Sequence, residues 1–156
     1  MRSHLVAALI VLAVAPTATA AALRVEQNGT GDFVVIQDAV NAAADGDTIL
    51  IGPGRYDDLR PRGPLNTVCV AWWNDLRSLT FIGVHRDSVI VGPTSYIPEG
   101  SGPQGLHQYT GGGLVVRSMT FENLKFGVVS GGTGSMEFEN LRIAAGNAGL
   151  DRKSVV

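Results

Sequence analysis

The residues able to do chemistry are few and scattered. Asp57, Asp58 and Asp75 are the carboxylates best suited to general acid–base work, which needs two such groups at a defined separation. Neighbours on a strand point to opposite faces, so Asp57 and Asp58 need not cooperate, and the spacing brings no particular pair together. Cys69, the single cysteine, lies in the apolar run TVCVAWW. It can make no internal disulfide, and with no histidine near it in sequence a buried, inert thiol is expected rather than a nucleophile. His4 belongs to the leading segment, His85 to a turn, and His107 to a glycine-rich stretch. GSGPQG (100–105) has the letters of a dinucleotide loop, but a proline interrupts it and no helix follows; GPGR lacks the lysine of a phosphate loop. No metal-ligand spacing is present, so neither cofactor nor metal is expected.

Binding has better candidates than catalysis. The longest glycine-rich segment, GPTSYIPEGSGPQGLHQYTGGG (92–113), holds Tyr96, Glu99, His107 and Tyr109. A loop of that length without structure of its own is either functional or a plain flexible excursion. These four residues are the expected substrate-binding set. Trp72-Trp73 adds either a ring for stacking on a sugar or a core ring with an outward neighbour.

Composition narrows the setting. The 156 residues carry a formal net charge of −2 with no basic stripe, so nucleic acid is not an expected partner. Residues 1–20 read as a secretory signal: an arginine, an apolar run over 5–15, then small residues with a cleavage site at Ala18-Thr19-Ala20 or, second, Ala20-Ala21-Ala22. The run is shorter than the roughly 20 residues a spanning helix needs. A secreted or periplasmic protein, free of the membrane after cleavage, is expected. Asn28-Gly29-Thr30 matches a glycosylation acceptor. At the other end, DRKSVV (151–156) breaks the preceding rhythm and can be encoded by GAT CGG AAG AGC GTC GTG, a string resembling a sequencing adapter. A non-native tail over 151–156, on a natural chain that runs on past about residue 150, is the expectation; an ordinary charged tail is the alternative.

The elements that must position these residues are mostly strands. Short β-branched or aromatic runs at 23–27, 48–51, 68–72, 79–82, 89–91, 114–116, 119–121, 126–129, 136–138 and 141–144 are bounded by Gly, Asn, Ser or Pro. One helix stands apart: Ile36, Ala39, Val40 and Ala43 share a face, with Gln37, Asp38 and Asn41 opposite, and Asp45-Gly46-Asp47 closes it. MTFENLKF (119–126) and MEFENLRI (136–143) repeat with an offset of 17 residues. Such a period predicts stacked β coils, with Phe121 over Phe138, Leu124 over Leu141 and an amide ladder of Asn123 over Asn140. Glu122 and Glu139 then face solvent, offset by Lys125 and Arg142.

NGTGDFVVIQDAVNAAADGDTILIGPGRYDD (28–58) resembles the opening of right-handed parallel β-helix proteins of the pectin lyase-like superfamily, pectin methylesterases especially. LTFIG, SVIVG and the FENL turns resemble their following coils. The resemblance implies an all-β, right-handed parallel β-helix (β-solenoid) over 21–150, opened by an amphipathic capping helix. It implies a pectin-like polysaccharide as partner. The activity would be that of an esterase or lyase whose catalytic residues lie in later coils. Methylesterase aspartates with Gln and Arg partners, and lyase calcium-binding acids, are not visible here. No catalytic residue is therefore assigned and the chain by itself is expected to be inactive; a non-catalytic β-helix for carbohydrate binding or surface attachment is the alternative.

Overall fold

The computed structural model describes residues 19–62, 67–97, 102–144 and 150–152. The expected signal peptide lies almost wholly outside them, as does Glu99.

The described chain is sheet-rich with one short helix. β1 (Ala22–Val25) is followed by α1 (Ile36–Ala42), β2 (Thr48–Ile51), β3 (Gly54–Tyr56), β4 (Arg60–Arg62) and β5 (Thr67–Trp73). Then come β6 (Leu79–Gly83), β7 (Val89–Val91), β8 (Gln104–Gln108), β9 (Leu114–Arg117), β10 (Thr120–Glu122), β11 (Phe126–Ser130), β12 (Met136–Glu139), β13 (Arg142–Ala144) and β14 (Leu150–Arg152). They form three sheets, ordered β1-β2-β6-β9-β12, β3-β7-β10-β13 and β4-β5-β8-β11-β14. The chain visits first, second and third sheet in turn, then begins again beside its previous circuit. Every pairing is parallel except β4 with β5. Parallel neighbours need a long crossover, and here the other two sheets supply it.

Register stacks like on like. Ile49, Phe81, Val116 and Phe138 follow one another across the first sheet, Tyr56, Val91 and Phe121 across the second, and Ala71, Leu106 and Val128 across the third. All but the half-buried Phe138 are buried, and all ten belong to or pack against one core. Burying a side chain such as Phe81 contributes about 1.5–3 kcal/mol.

Two expectations about the strands are corrected. The segment 92–113 is not one loop: β8 runs through its middle, because Gln104, Leu106 and Gln108 fill the inter-strand slot between β5 and β11. The 17-residue repeat is not the stacking period. Leu114 pairs with Met136, Thr120 with Arg142 and Val128 with Leu150, each 22 positions on. Phe138 therefore sits beside Val116, not Phe121, and Asn140 beside Ser118, to whose hydroxyl its amide donates at 3.1 Å. Ser118, Asn123 and Asn140 are the described non-glycine residues with left-handed backbone, at φ 55°, 55° and 51°. Asn123 ends a second-sheet strand and Asn140 a first-sheet strand. The repeated letters mark one corner chemistry used at two different corners.

The charge pattern shifts accordingly. Glu122 is half-buried and ion-paired to Arg55, and Arg117 reaches Glu137 and Glu139, in place of the expected Lys125 and Arg142. Arg142 lies 3.9 Å from Asp87 instead.

α1 packs against β1 and β2 at the start of the first sheet and against β5, the second strand of the third. Ile36, Ala39, Val40 and Ala43 are buried on that side, as its spacing predicts. Gln37, placed on the polar face by the same spacing, is buried as well. Its Oε1 accepts from Trp72 N–H at 2.8 Å and its Nε2 donates to Trp72 O at 3.0 Å. β4 covers β5 only over 67–69, so one side-chain amide stands in for a missing strand at Trp72. Gly46, at φ 85°, takes the left-handed turn between helix and β2.

Candidate functional site

The C-terminal end of β5 is where aromatic and polar side chains gather. Trp72 and His107 are register partners on β5 and β8, so their side chains share a face of the third sheet. Tyr109 lies two residues beyond His107 on the same side, and the two rings stack with centroids 5.7 Å apart at 29°. Asn74, just past β5, accepts from Thr110 Oγ1 at 3.2 Å. Trp72 and Asn74 also line a cleft of about 390 Å³ between α1 and β5, together with Gln37, Asn41, Trp73, Asp75 and Arg77.

The cleft walls are fixed by bonds that also hold the helix. Arg77 donates from Nη1 to Val40 O at 2.9 Å and to Ala43 O, answering the carbonyls at the end of α1. Its Nε and Nη2 grip Asp75 at 2.8 and 2.7 Å. The Arg77 side chain beside it, with the Arg77 backbone N–H, holds the Asp75 carboxyl below the usual carboxylate range. Asp75 is thus an ionised, engaged group and a poor proton donor near neutral pH. A seven-residue helix has little stability alone, so α1 depends on these anchors and on Gln37. Asp47 adds another, accepting backbone N–H bonds from Ala21 and Ala44, each at 2.7 Å.

Of the four expected substrate-binding residues, the structure joins two. His107 and Tyr109 stack on each other on the sheet face that His107 shares with Trp72. Tyr96 lies half-buried in the segment between β7 and β8. Glu99 lies outside the described residues.

Cys69 is less isolated than its sequence neighbours suggest. Its Sγ lies 3.9 Å from His107 Nδ1 and 3.9 Å from Gln104 Oε1. The pairing was hidden because it runs from β5 to β8, through a segment read as loop. Cys69 is only 1% exposed, however, so a substrate cannot reach its sulfur in this arrangement.

Asp58 pairs with Arg60 beside a smaller cavity of about 180 Å³ that Asp57 also lines. Among the described residues no group of three or more His, Cys, Asp or Glu is placed to hold a metal ion. Nor is any described helix long and apolar enough to cross a membrane. No protein-family profile matches the chain, and no curated protein matches it.

Proposed function

We propose that this chain is an exported, right-handed parallel β-helix that binds polysaccharide at the α1–β5 cleft and along the adjoining face of the third sheet. The observation that carries the reading is the join of aromatic and amide chemistry there. Trp72 and the stacked His107–Tyr109 pair offer ring faces, while Asn41, Asn74 and Thr110 offer hydrogen bonds. Apolar faces for C–H surfaces, bordered by a few fixed polar groups, are what a sugar chain needs. The repeated circuit through three sheets, parallel but for the β4–β5 pair, and the helix packed on β1, β2 and β5 support the β-helix part, with α1 as its lid.

The resemblance of 28–58 to pectin methylesterase openings supports a pectin-like polysaccharide and a carbohydrate-active parent enzyme, an esterase or lyase. The cleft itself favours binding over catalysis: its carboxylate, Asp75, is held ionised in an ion pair. The test is retention of the mature chain on immobilised pectin, homogalacturonan, cellulose and chitin, with methanol release and unsaturated-product absorbance followed alongside. Retention on pectin without product is expected, and Trp72→Ala and Tyr109→Ala should each weaken it about tenfold, or 1.4 kcal/mol. No retention on any of the four, or full retention by both variants, removes the proposal.

A further inference from the structure

The charge exposed in the α1–β5 cleft is negative. Among the residues that line it, Arg77 is the one cation and Asp75 the one carboxylate. All three nitrogens of the guanidinium are engaged. Nε and Nη2 grip the two Asp75 oxygens at 2.8 and 2.7 Å, and Nη1 donates to Val40 O and Ala43 O. The Arg77 side chain is 22% exposed and that of Asp75 43%, so the pair turns its negative partner outward.

The segments that build the walls lean the same way. Residues 36–47 and 67–78 carry Asp38, Asp45, Asp47 and Asp75 against the single Arg77. Asp38 is exposed in the first turn of α1, and no basic residue follows in the last turn. Asp45 accepts from Ser78 N–H at 2.7 Å, and Asp47 from Ala21 and Ala44 N–H. A ligand carboxylate entering here sheds water, finds its only cation already paired, and faces Asp75. An uncharged sugar meets none of these costs. The Trp72 ring and the Asn41 and Asn74 amides suit its C–H faces and hydroxyls.

We infer that the cleft selects uncharged saccharide units, methyl-esterified uronate or neutral hexose, and rejects uronate with a free carboxylate, with Asp75 as the residue that sets this choice. The inference rests on the polysaccharide reading above and narrows its ligand class. Asp75 then has two duties. It fixes Arg77 against the end of α1, and it sets the sign of the charge a ligand meets. Selectivity of this kind comes from a repulsive element as much as from an attractive one.

The experiment is calorimetric titration of the mature chain with a methyl-esterified oligogalacturonide, its free-acid form of the same length, and cellohexaose. The buffer is held at about pH 7.5, above the ordinary histidine range, because His107 is the register partner of Trp72. EDTA is included, so that no divalent cation bridges Asp75 to a uronate. At about 20 mM salt the ester is expected to bind at least about tenfold more tightly than the acid, and the ratio should shrink at about 0.5 M salt. Asn74→Lys, at an exposed position on the cleft, should shift that ratio toward the acid at least about tenfold. Asp75→Asn should shift it the same way, with Arg77 keeping its carbonyls on α1. Binding of the ester or of cellohexaose without the acid upholds the inference. An acid bound as tightly as the ester, or a ratio unmoved by Asn74→Lys, overturns it and leaves the polysaccharide reading standing. No binding of any of the three removes both.

Discussion

Replacing Gln37 tests the anchoring of α1 directly. Gln37→Leu keeps the size of the side chain and removes both bonds to Trp72, at 2.8 and 3.0 Å. Two backbone groups at the edge of β5 then lose their partners. At about 1–3 kcal/mol for each buried group left unpaired, and with part returned by the leucine's apolar burial, the net loss is about 2–4 kcal/mol. Urea unfolding of a domain this size has a slope of roughly 1–3 kcal/mol per molar, so the midpoint should fall by about 1–2 M. Gln37→Glu sharpens the test. Its carboxylate can still accept from Trp72 N–H, but its second oxygen faces Trp72 O with no proton to give. The penalty belongs to the ionised form, so the folded state raises this glutamate's pKa. The deficit relative to the parent chain should be full at pH 7 and shrink as pH falls toward about 4, the ordinary glutamate range. A Gln37→Leu midpoint within about 0.2 M of the parent, on that same slope, or a Gln37→Glu deficit independent of pH, would refute the strand-substitute account.

Further outcomes are expected. Asp47 has its carboxyl held below the usual range by the backbone N–H groups of Ala44 and Ala21. A depressed folded pKa contributes stability that is present above about pH 4 and is lost as pH falls through the folded value. The parent chain should therefore exceed Asp47→Asn in urea midpoint at pH 6 and lose that margin toward pH 2; a constant margin counts against it. Tyr56 donates to Gly52 O at 3.0 Å and is pushed up to about 12, chiefly by burial and then by Glu26. With the folded value raised, its contribution is complete below the unfolded value near 10 and is lost between there and about 12. Absorbance at 295 nm should show one of the three tyrosines ionising only near pH 12 or on unfolding. Ser118→Asn puts a residue tolerant of left-handed backbone at φ 55° beside Asn140, and should stabilise by about 0.5–1 kcal/mol in denaturant titration; a destabilised variant would contradict the corner geometry.

The candidate site was only partly legible in the sequence, for a reason of range. His107 and Tyr109 stand out in the sequence only as members of the glycine-rich segment 92–113, and they stay together once β8 replaces the loop because they lie two residues apart. Their neighbours Trp72 and Asn74 arrive from more than thirty residues away, through the pairing of β5 with β8. With β8 read as loop, no rule of periodicity could bring Cys69 to His107 or set Trp72 beside it. The glycines misled here. Gly105 lies within β8 because a side chain there has no room: a Cβ would fall 2.9 Å from Phe121 Cδ1 and 2.3 Å from Gly127 O. Glycine reads as a loop signal in sequence, and in this strand it marks close packing instead. Gln37 failed for the opposite reason. Helical spacing sorts residues by polarity, and a glutamine that serves as a surrogate peptide is polar and buried at once.

The repeat carries the finer lesson about the fold. LVVRS and MTFEN are successive five-residue units of one circuit, each a strand ending in a left-handed corner, at Ser118 and Asn123. MEFEN opens the next circuit over LVVRS and ends in the same corner, at Asn140. Its likeness to MTFEN therefore compares neighbouring faces, and the offset of 17 falls one five-residue unit short of the 22 positions that stack. Sequence similarity detects the corner, because left-handed backbone admits few residues. Stacking obeys a weaker demand, that each inward position be apolar and of suitable size, which Val116 beside Phe138 meets as well as two phenylalanines would. The strongest repeat in such a chain thus reports where the backbone turns, while the period of the stack is set by hydrogen-bond register, which leaves little mark on the letters.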